Sequence, residues 1–380
     1  ADLSSGGFAC AHNGNLTNAS ILRDSLVKDG AIFQSTSDTE TILQLVAKSS
    51  RQQTVDKLID ALFKIQGAYS LVILTNKKLI GVRDPYGIRP LVLGDLNGAP
   101  VLTSETCALD IIGAKYVRDV EHGEIIIISE DGMESIKPFP KVQERPCIFE
   151  RIYFSRPDSI VGGKTVYTYR KNLGQELAKE NHIDADVIIP VPDSGVPAAL
   201  GYSQESKIPF ELGIIRNHYV GRTFIEPSQS IRQFGVKLKH NANSSYIKNK
   251  KVILIDDSIV RGTTAKKIIK MVYDAGAKEV HLGIACPPIK HPDFYGIDTP
   301  DYNELIAAKS SLEEINNVIG SKSIFFLSLE GTYKAMGYEK RDNETPQFTD
   351  HCFTGDYPTS LLDREQGTVS KQFSLLSEKN

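Results

Sequence analysis

The chain of 380 residues lacks the sequence features of membrane, secreted and nucleic-acid-binding proteins. No apolar run approaches the about 18 residues that a membrane-spanning helix requires. The N-terminal sequence ADLSSGGFACAHNGN does not begin with Met and has no basic region followed by an apolar core, so no signal peptide is predicted. A formal net charge of -3 gives no overall electrostatic attraction to nucleic acids or membranes. Binding to either is therefore not expected.

Cysteine is scarce as well, and its distribution argues against a disulfide framework. The cysteines are odd in number, scattered along the chain and without a CxxC pair. In a chain of this length, such a distribution is typical of reduced thiols. The sequence therefore predicts a cytoplasmic protein. The five cysteines are Cys10, Cys107, Cys147, Cys286 and Cys352.

The residues that are present indicate two domains of different class, which the length also favours. Residues 1–145 contain sequential strand-like runs, such as AYSLVILTN and KLIGVRD around a turn at 76–77, and predict an α+β domain. Three prolines and several charges in KPFPKVQERP, residues 137–146, mark a boundary. Residues 146–345 then alternate strand, loop and helix, which predicts an α/β domain with a parallel sheet. We expect the polar residues 346–380 to form a C-terminal tail that wraps the surface or is partly mobile.

The most informative stretch is KKVILIDDSIVRGTTAKKII, residues 250–269, in which an apolar strand ends in Asp256 and Asp257. In a parallel α/β sheet, ligands bind beyond the carboxyl ends of the strands. The helix N-terminus that follows offers backbone N–H groups to a phosphate, and Gly262 allows the backbone to approach closely. We interpret the stretch as a phosphate site beside two carboxylates that hold vicinal hydroxyls or a hard divalent cation. The alternative is that the two acids are solvated or cap the next helix. Hydroxyl groups nearby belong to Ser258, Thr263 and Thr264.

Five motifs, in order along the chain, resemble a single enzyme family. They are IPVPDSG, RNHYVGRTFIEPSQ, DDSIVRGTT, HPDFYGID and CFTGDYPT, and together they resemble the glutamine phosphoribosylpyrophosphate (PRPP) amidotransferases from near Phe8 to near Pro358. DDSIVRGTT also resembles the PRPP motif of type I phosphoribosyltransferases. The resemblance implies an enzyme that makes 5-phosphoribosylamine from PRPP and glutamine-derived ammonia, the first committed step of purine synthesis. It further implies that residues 146–345 form a type I phosphoribosyltransferase domain.

The resemblance assigns roles around the phosphate site. Asp256 and Asp257 would contact the ribose hydroxyls of PRPP and Mg²⁺, and Ser194 in VPDSG would complete the metal site. Residues 217–241 match the loop that closes over PRPP, and cations in this loop suit a pyrophosphate leaving group. The implied catalytic residues of the loop are Tyr219 and Arg222, its further cations are Arg232, Lys237 and Lys239, and the phosphate-binding residues are Ser258, Val260, Arg261, Gly262, Thr263 and Thr264.

A second resemblance concerns AHNGNLTN, residues 11–18, which is similar to the oxyanion-hole segment of N-terminal-nucleophile glutamine amidotransferases. The side-chain amide of Asn13 and the N–H of Gly14 would stabilise an oxyanion. Asp38 would bind the α-ammonium group of the substrate glutamine. Residues 1–145 are thereby expected to form a partial αββα glutaminase domain, in which VRDPYGIRPL has a structural role.

The sequence departs from this family at the nucleophile. The family uses the thiol of a Cys at residue 1, whereas this chain begins with Ala1. We expect an N-terminally truncated chain that uses ammonia but not glutamine, because oxyanion donors alone give only residual rate enhancement. Cys10 lies in an apolar run and is expected to be buried and inert.

Cofactors and partners are implied by the resemblance alone. Mg²⁺ is the expected cofactor. Some members carry a [4Fe–4S] cluster on four cysteines; here Cys147 and Cys352 match two ligand positions, but Asp293 and Thr349 occupy the others, so no iron–sulfur cluster is expected. The expected partners are PRPP, glutamine or ammonia, purine nucleotides as inhibitors and further copies of the chain in a homo-oligomer. Two alternatives remain open, namely a base-salvage phosphoribosyltransferase and a PRPP or nucleotide sensor without glutaminase activity.

Overall fold

The described chain has an antiparallel first half and a parallel second half. The computed structural model describes residues 1–3, 6–217, 240–297, 299 and 301–365. Within these residues, a search for a helix with enough length and apolar character to cross a bilayer finds none.

Two antiparallel sheets form the first half. Its strands are β1 (Asp2–Leu3), β2 (Gly6–Leu16), β3 (Gly67–Thr75), β4 (Leu79–Arg83), β5 (Val92–Leu96), β6 (Ala99–Thr103), β7 (Lys115–Asp119), β8 (Ile125–Ser129) and β9 (Gly132–Ile136). Its helices are α1 (Ala19–Lys28), α2 (Asp38–Lys48), α3 (Thr54–Leu62) and α4 (Thr106–Ile112). The larger sheet has the order β1-β2-β3-β4-β8-β9, and the smaller has the order β6-β5-β7.

The alternation of side chains along β8 explains how the two sheets pack. Ile125 and Ile127 join a core with α2 and α3, whereas Ile126 joins a second core with Leu91, which precedes β5, and with Leu93 of β5. Successive strand residues point to opposite faces, so a run of isoleucines can fill both cores. On the outer face of the smaller sheet, α4 adds Leu109 to a third cluster. This helix–sheet–sheet–helix order confirms the predicted αββα arrangement.

A parallel sheet organises the second half, as predicted. Its strands are β12 (Val187–Pro190), β15 (Lys251–Asp256), β16 (Glu279–Ile284) and β17 (Ser323–Phe326), all parallel and in that order. Two short antiparallel pairs are β10 (Ile160–Val161) with β11 (Lys164–Thr165), and β13 (Ile214–Arg216) with β14 (His240–Ala242). The helices are α5 (Val166–Glu180), α6 (Val196–Ser206), α7 (Ser244–Ile247), α8 (Thr263–Asp274), α9 (Ile306–Lys309), α10 (Leu312–Ile319), α11 (Leu329–Met336), α12 (His351–Thr354) and α13 (Leu362–Glu365), with a π-helical turn at Glu150–Phe154 and a 3-10 turn at Tyr302–Glu304.

The segment after residue 346 begins inside the core, contrary to the expected surface tail. Residues 348–353 are all buried. Asp350 accepts hydrogen bonds from Arg341 and Tyr333 (2.7 and 2.8 Å), and His351 Nε2 lies 2.9 Å from Asp293 Oδ2. Polar sequence is compatible with burial when each buried charge has a partner. Burial alone would raise the pKa of Asp293, but the contact with His351 and two backbone N–H groups hold this pKa below its usual value.

Replacing His351 by glutamine should destabilise the fold. His351→Gln should lower the free energy of unfolding by about 2 kcal/mol, because glutamine can donate an N–H group to Asp293 but does not replace the imidazole that faces this buried carboxylate. Urea denaturation followed by circular dichroism measures this difference.

The matched control for this variant is His182→Gln, since His182 is exposed and its loss should cost less than about 0.5 kcal/mol. Because the folded-state pKa of Asp293 lies below the unfolded value of 3.8, the stability that it contributes is present above that value and is lost as the pH falls through the folded-state pKa. The loss in free energy of unfolding caused by His351→Gln should therefore persist at neutral pH and become smaller below about pH 4. An equal effect of both variants at neutral pH would contradict a stabilising pair.

Candidate active site

Two carboxylates and a serine meet at one edge of the parallel sheet. Asp256 ends β15 and Asp257 follows it. β12 lies parallel to β15 with Pro190 opposite Ile255, and Val191 N donates to Ile255 O at 2.8 Å. The loop after β12, which contains Ser194, therefore reaches the same edge, where the Ser194 hydroxyl favours the charged form of Asp257. The structure thus brings the three predicted metal-binding residues together.

Burial dominates the electrostatics of this edge, and repulsion from Asp257 adds to it at Asp256. Asp257 is 6% exposed, its N–H donates to Asp256 Oδ1 at 2.9 Å, and Ser258 Oγ donates to Asp257 Oδ1 at 2.5 Å. Burial and the charge of Asp257 raise the pKa of Asp256 well above its ordinary value. Burial also raises the pKa of Asp257, although hydrogen bonds from Ser194 and Ser258 and the guanidinium of Arg170 oppose the rise. A cation bound here would relieve the repulsion.

The phosphate cradle consists mainly of backbone. Gly262, at φ +74°, precedes the first residue of α8, and no side chain caps this helix. The N–H groups of its first turn therefore have no acceptor within the helix and lie at the positive end of the helix dipole. Ile306 N donates to Val260 O at 2.9 Å and fixes the loop. Arg261 forms an ion pair with Glu304 at the surface, and its phosphate contact stays a prediction. The hydroxyl-bearing Thr263 and Thr264 of the first turn are exposed.

The predicted catalytic residues of the closing loop, Tyr219 and Arg222, lie outside the described residues, as do Arg232, Lys237 and Lys239. The described flanks of the loop are adjacent, because Arg216 of β13 pairs with His240 of β14. Arg216 also forms an ion pair with Asp193, next to Ser194. Both ends of the loop therefore lie at the edge that carries the carboxylates.

The predicted oxyanion segment lies on β2. Gly14 has φ +142°, and a β-carbon at this position would stand 2.1 Å from Ala68 O, so only glycine fits. Asp38 begins α2 and accepts a hydrogen bond from Leu16 N at 3.0 Å. Burial would raise the pKa of Asp38, but His12, whose Nδ1 is 3.4 Å from Asp38 Oδ2, holds it below its usual value. The structure thus places Asp38 beside the strand that carries Asn13 and Gly14.

Sequence reasoning missed Arg89, to which only a structural role in VRDPYGIRPL was given. Arg89 is 1% exposed, and its Nε and Nη2 donate to Asn13 Oδ1 at 3.3 and 3.0 Å. The signal available in the sequence was a charged residue between apolar neighbours, in IRPLVLG. A buried arginine requires partners, which in this case include the predicted oxyanion donor.

Two predictions about cysteines can be compared with the structure. Cys10 is partly rather than fully buried, which corrects the prediction; even so, burial and then Asp38 raise the pKa of its thiol to about 12, so it is a poor nucleophile. Cys147 pairs with Thr349 in an isolated bridge, and Asp293 contacts His351. In the described part of the chain, no group of three or more His, Cys, Asp or Glu side chains is arranged to hold a metal ion.

A separate cavity of about 310 Å³ lies between the first half and the C-terminal segment. Leu62, Tyr69, Phe139 and Pro358 are among its lining residues. None of the predicted site residues belongs to this lining, so the cavity is not part of the candidate active site.

Comparisons with known proteins agree with this geometry. A family model described as a glutamine amidotransferase domain matches residues 2–110, and one described as a phosphoribosyl transferase domain matches residues 168–303. The amidophosphoribosyltransferase of Rhizobium etli is 58% identical over 99% of this chain and 77% of that protein. That of Bacillus subtilis is 47% identical over 94% and 75%. The chloroplastic amidophosphoribosyltransferase 1 of Arabidopsis thaliana is 52% identical over 93% of this chain, which spans 62% of the plant protein.

Solved structures give the same result. Glutamine PRPP amidotransferase from B. subtilis, complexed with ADP and GMP, superimposes with a TM-score of 0.88 at 47% identity, over 94% of this chain and 78% of that chain. A structure described as the allosteric regulatory enzyme of purine biosynthesis gives a TM-score of 0.89 at 46% identity, over 94% and 77%. The amidotransferase match also argues against a base-salvage enzyme, which would not need that domain.

Gly262→Ala should disturb the phosphate cradle. We expect the affinity for ribose 5-phosphate, measured by calorimetry, to fall roughly tenfold, because a β-carbon strains the left-handed residue that orients the first N–H groups of α8. The new β-carbon would also lie 3.0 Å from Ile306 Cδ1.

Gly320→Ala is the matched control for this substitution. Gly320 also has a left-handed φ of +82°, but its β-carbon would meet no atom within 4 Å. Both variants should lose about 1 kcal/mol of stability, and only Gly262→Ala should bind ribose 5-phosphate more weakly. If both variants weaken the binding of ribose 5-phosphate equally, the assignment of the phosphate site to the start of α8 is wrong.

Proposed function

The chain belongs to the amidophosphoribosyltransferases, which make 5-phosphoribosylamine in the first committed step of purine synthesis, and we propose that it carries out the transfer at the edge formed by Asp256 and Asp257. The observation that supports this location is a helix N-terminus without a side-chain cap next to the half-buried carboxylate of Asp256 and the buried carboxylate of Asp257. PRPP carries a phosphate and vicinal hydroxyls, which match the two parts of this edge.

Mg²⁺ fits the donors available at this edge. The carboxylates of Asp256 and Asp257 and the hydroxyl of Ser194 offer oxygen atoms, which hard cations prefer. Protein sites for Mg²⁺ commonly supply one or two carboxylates and leave the remaining positions to water and substrate phosphates. The raised pKa values of both carboxylates indicate a pair that gains from a cation. When bound with PRPP, Mg²⁺ would offset the negative charge of the pyrophosphate leaving group.

The described residues hold the substrate in the proposed reaction. Backbone N–H groups at the start of α8 and the hydroxyls of Thr263 and Thr264 bind the 5-phosphate. Asp256 and Asp257 accept hydrogen bonds from the ribose hydroxyls. The bond between C1 and the pyrophosphate oxygen breaks, the nitrogen of ammonia bonds to C1, and a proton is released to solvent. We assign Tyr219 and Arg222, outside the described residues, to the departing pyrophosphate.

In the family reaction a cysteine thiol attacks the glutamine amide, ammonia leaves and water hydrolyses the thioester. Ala1 offers no such thiol, so we propose that the first domain supplies the groups that bind glutamine and stabilise the oxyanion in that step. Asn13 Nδ2 and the N–H of Gly14 would stabilise the oxyanion formed on the glutamine amide, and Asp38 would bind its α-ammonium group. Asp38 accepts a hydrogen bond from Leu16 N at 3.0 Å, and Leu16 belongs to the same strand as Asn13. This position supports the assignment.

Regulation, assembly and location are also part of the proposal. We propose purine nucleotides as inhibitors, supported by the ADP and GMP of the related B. subtilis structure. A homo-oligomer is proposed from the family resemblance. A cytoplasmic location is supported by five free cysteines, which suit a reducing compartment.

Replacing both carboxylates tests the proposed site. In Asp256→Asn combined with Asp257→Asn, Mg²⁺-dependent binding of PRPP should fall at least about 100-fold, because the cation and hydroxyl ligands are lost together. Calorimetry measures the binding, and pyrophosphate release with ammonium chloride at alkaline pH measures turnover.

The control is Asp184→Asn combined with Asp186→Asn. These two carboxylates are exposed beside Lys251, at the opposite end of β15, and their loss should leave both measurements unchanged. Unchanged PRPP affinity in the Asp256/Asp257 variant would refute the site. Tight binding of Mg·PRPP by the wild type without any turnover would indicate a sensor instead.

The absence of an iron–sulfur cluster remains a prediction. Protein purified without oxygen should be colourless and hold no stoichiometric iron or sulfide, since only Cys147 and Cys352 offer thiolates at the four ligand positions. A brown sample with about four irons per chain would contradict this ligand count.

A further inference from the structure

Arg89 is presented by a turn whose polar groups are internally bonded. Asp84 is fully buried and accepts hydrogen bonds from the N–H groups of Tyr86 and Ile88, both at 3.0 Å. The guanidinium of Arg83 donates to the carbonyl oxygens of Gly87 and Arg89, at 2.8 and 3.0 Å. These contacts fix the backbone on both sides of Arg89, so its side chain leaves the turn in one direction.

The guanidinium of Arg89 determines how the amide of Asn13 is oriented. Nε and Nη2 donate to Asn13 Oδ1, at 3.3 and 3.0 Å. A guanidinium has only donors, so rotation of the amide by half a turn would place donors against donors. The amide nitrogen of Asn13 therefore points away from Arg89, and it lies 3.5 Å from Ser104 Oγ. That orientation is the one an oxyanion donor needs.

The charge of Arg89 is balanced from outside the first domain. Its Nη1 lies 3.0 Å from Oε1 of Glu150, which is 5% exposed and begins the π-helical turn. The angle does not suit a hydrogen bond, so the contact is an ion pair. Glu150 Oε2 accepts from Ser155 Oγ at 2.5 Å, and the guanidinium of Arg89 stacks on Phe154 at 4.4 Å. Glu150 lies beyond the residues that match the amidotransferase family model.

We propose that Arg89 is a positioning residue for the oxyanion donor Asn13, and that Glu150 extends this control into the second half of the chain. Without the guanidinium, both orientations of the Asn13 amide become accessible, and one of them turns a carbonyl oxygen toward the oxyanion. Without Glu150, a buried cation loses its counter-charge and the position of the guanidinium is no longer fixed. The inference rests on the proposed role of the first domain in glutamine hydrolysis.

The test compares two reactions of the protein in a form that carries the family's cysteine nucleophile. Glutamate release reports glutamine hydrolysis, and pyrophosphate release with ammonium chloride reports the phosphoribosyl site alone. In Arg89→Gln and in Glu150→Gln, kcat for glutamine should fall about 100-fold, as for the loss of an oxyanion donor, while KM for glutamine changes less than about threefold. The ammonia-dependent rate should also stay within about threefold of wild type.

Coupling to Asn13 separates positioning from a structural role. In an Asn13→Ala background, Arg89→Gln should cost less than about threefold, because the group that it positions is already absent. Arg89→Lys retains the positive charge opposite Glu150. Its kcat for glutamine should therefore lie between the values of wild type and Arg89→Gln. If Arg89→Gln fails to fold, Arg89→Lys provides the comparison with wild type.

Arg118→Gln is the matched control. Arg118 forms a two-bond ion pair with the buried Glu124, at 2.8 and 2.7 Å, in the same domain, so its loss should reduce stability without changing glutamine turnover. A loss of turnover by Arg89→Gln that is the same with and without Asn13, or a parallel loss of the ammonia-dependent rate, would overturn the inference and leave the proposed function intact. If the protein without these substitutions does not hydrolyse glutamine, the proposed role of the first domain is wrong, and the inference about Arg89 fails with it.

Discussion

Parallel pairing of β12 with β15 is the constraint on which the phosphoribosyl site depends. The register places Pro190 opposite Ile255 and continues through the bond from Val191 N to Ile255 O. Parallel strands end at the same edge, so the loop with Ser194 and the Asp256–Asp257 pair must meet there. A slip of one residue would exchange the two faces of β15 and separate Ser194 from Asp257.

Buried charges, rather than apolar contacts alone, connect this site to the rest of the chain. Arg89 and Glu150 join the antiparallel half to the π-helical turn, and His351 joins the C-terminal segment to Asp293. Each pair is costly to desolvate, so its contribution lies less in net stability than in the penalty for any arrangement that separates the partners. Because separating the partners of either pair is unfavourable, the pairs restrict how the connected segments can be placed relative to each other.

Local pattern was sufficient for most of the secondary structure. The run of four isoleucines in β8, the hairpin turn at 76–77 and the strand that ends in Asp256 follow from side-chain alternation and turn chemistry. The predicted metal and phosphate residues between Asp256 and Thr264 lie together in the structure because their motif is one continuous stretch. Ser194 required the family resemblance, since its proximity to Asp257 depends on strand pairing.

Two of the failures share one cause, which is that the partner of a buried polar group is distant in sequence. Arg89 and Asn13 are 76 residues apart, and nothing in either local sequence specifies the contact. The segment around His351 is polar and reads as surface, but Asp293 and Arg341 compensate its charges in the core. Cys10 was assigned to the interior by its apolar neighbours, although alternation along β2 leaves it partly exposed.

A crystal structure with Mn²⁺ in place of Mg²⁺ and with PRPP bound tests the location of the active site most directly. The anomalous signal of Mn²⁺ identifies the cation without reference to the protein density. We predict Mn²⁺ beside Asp256 and Asp257, the ribose hydroxyls on the same carboxylates and the 5-phosphate at the start of α8. PRPP bound in the cavity lined by Tyr69 and Pro358, with Mn²⁺ absent from the carboxylate pair, would contradict the account.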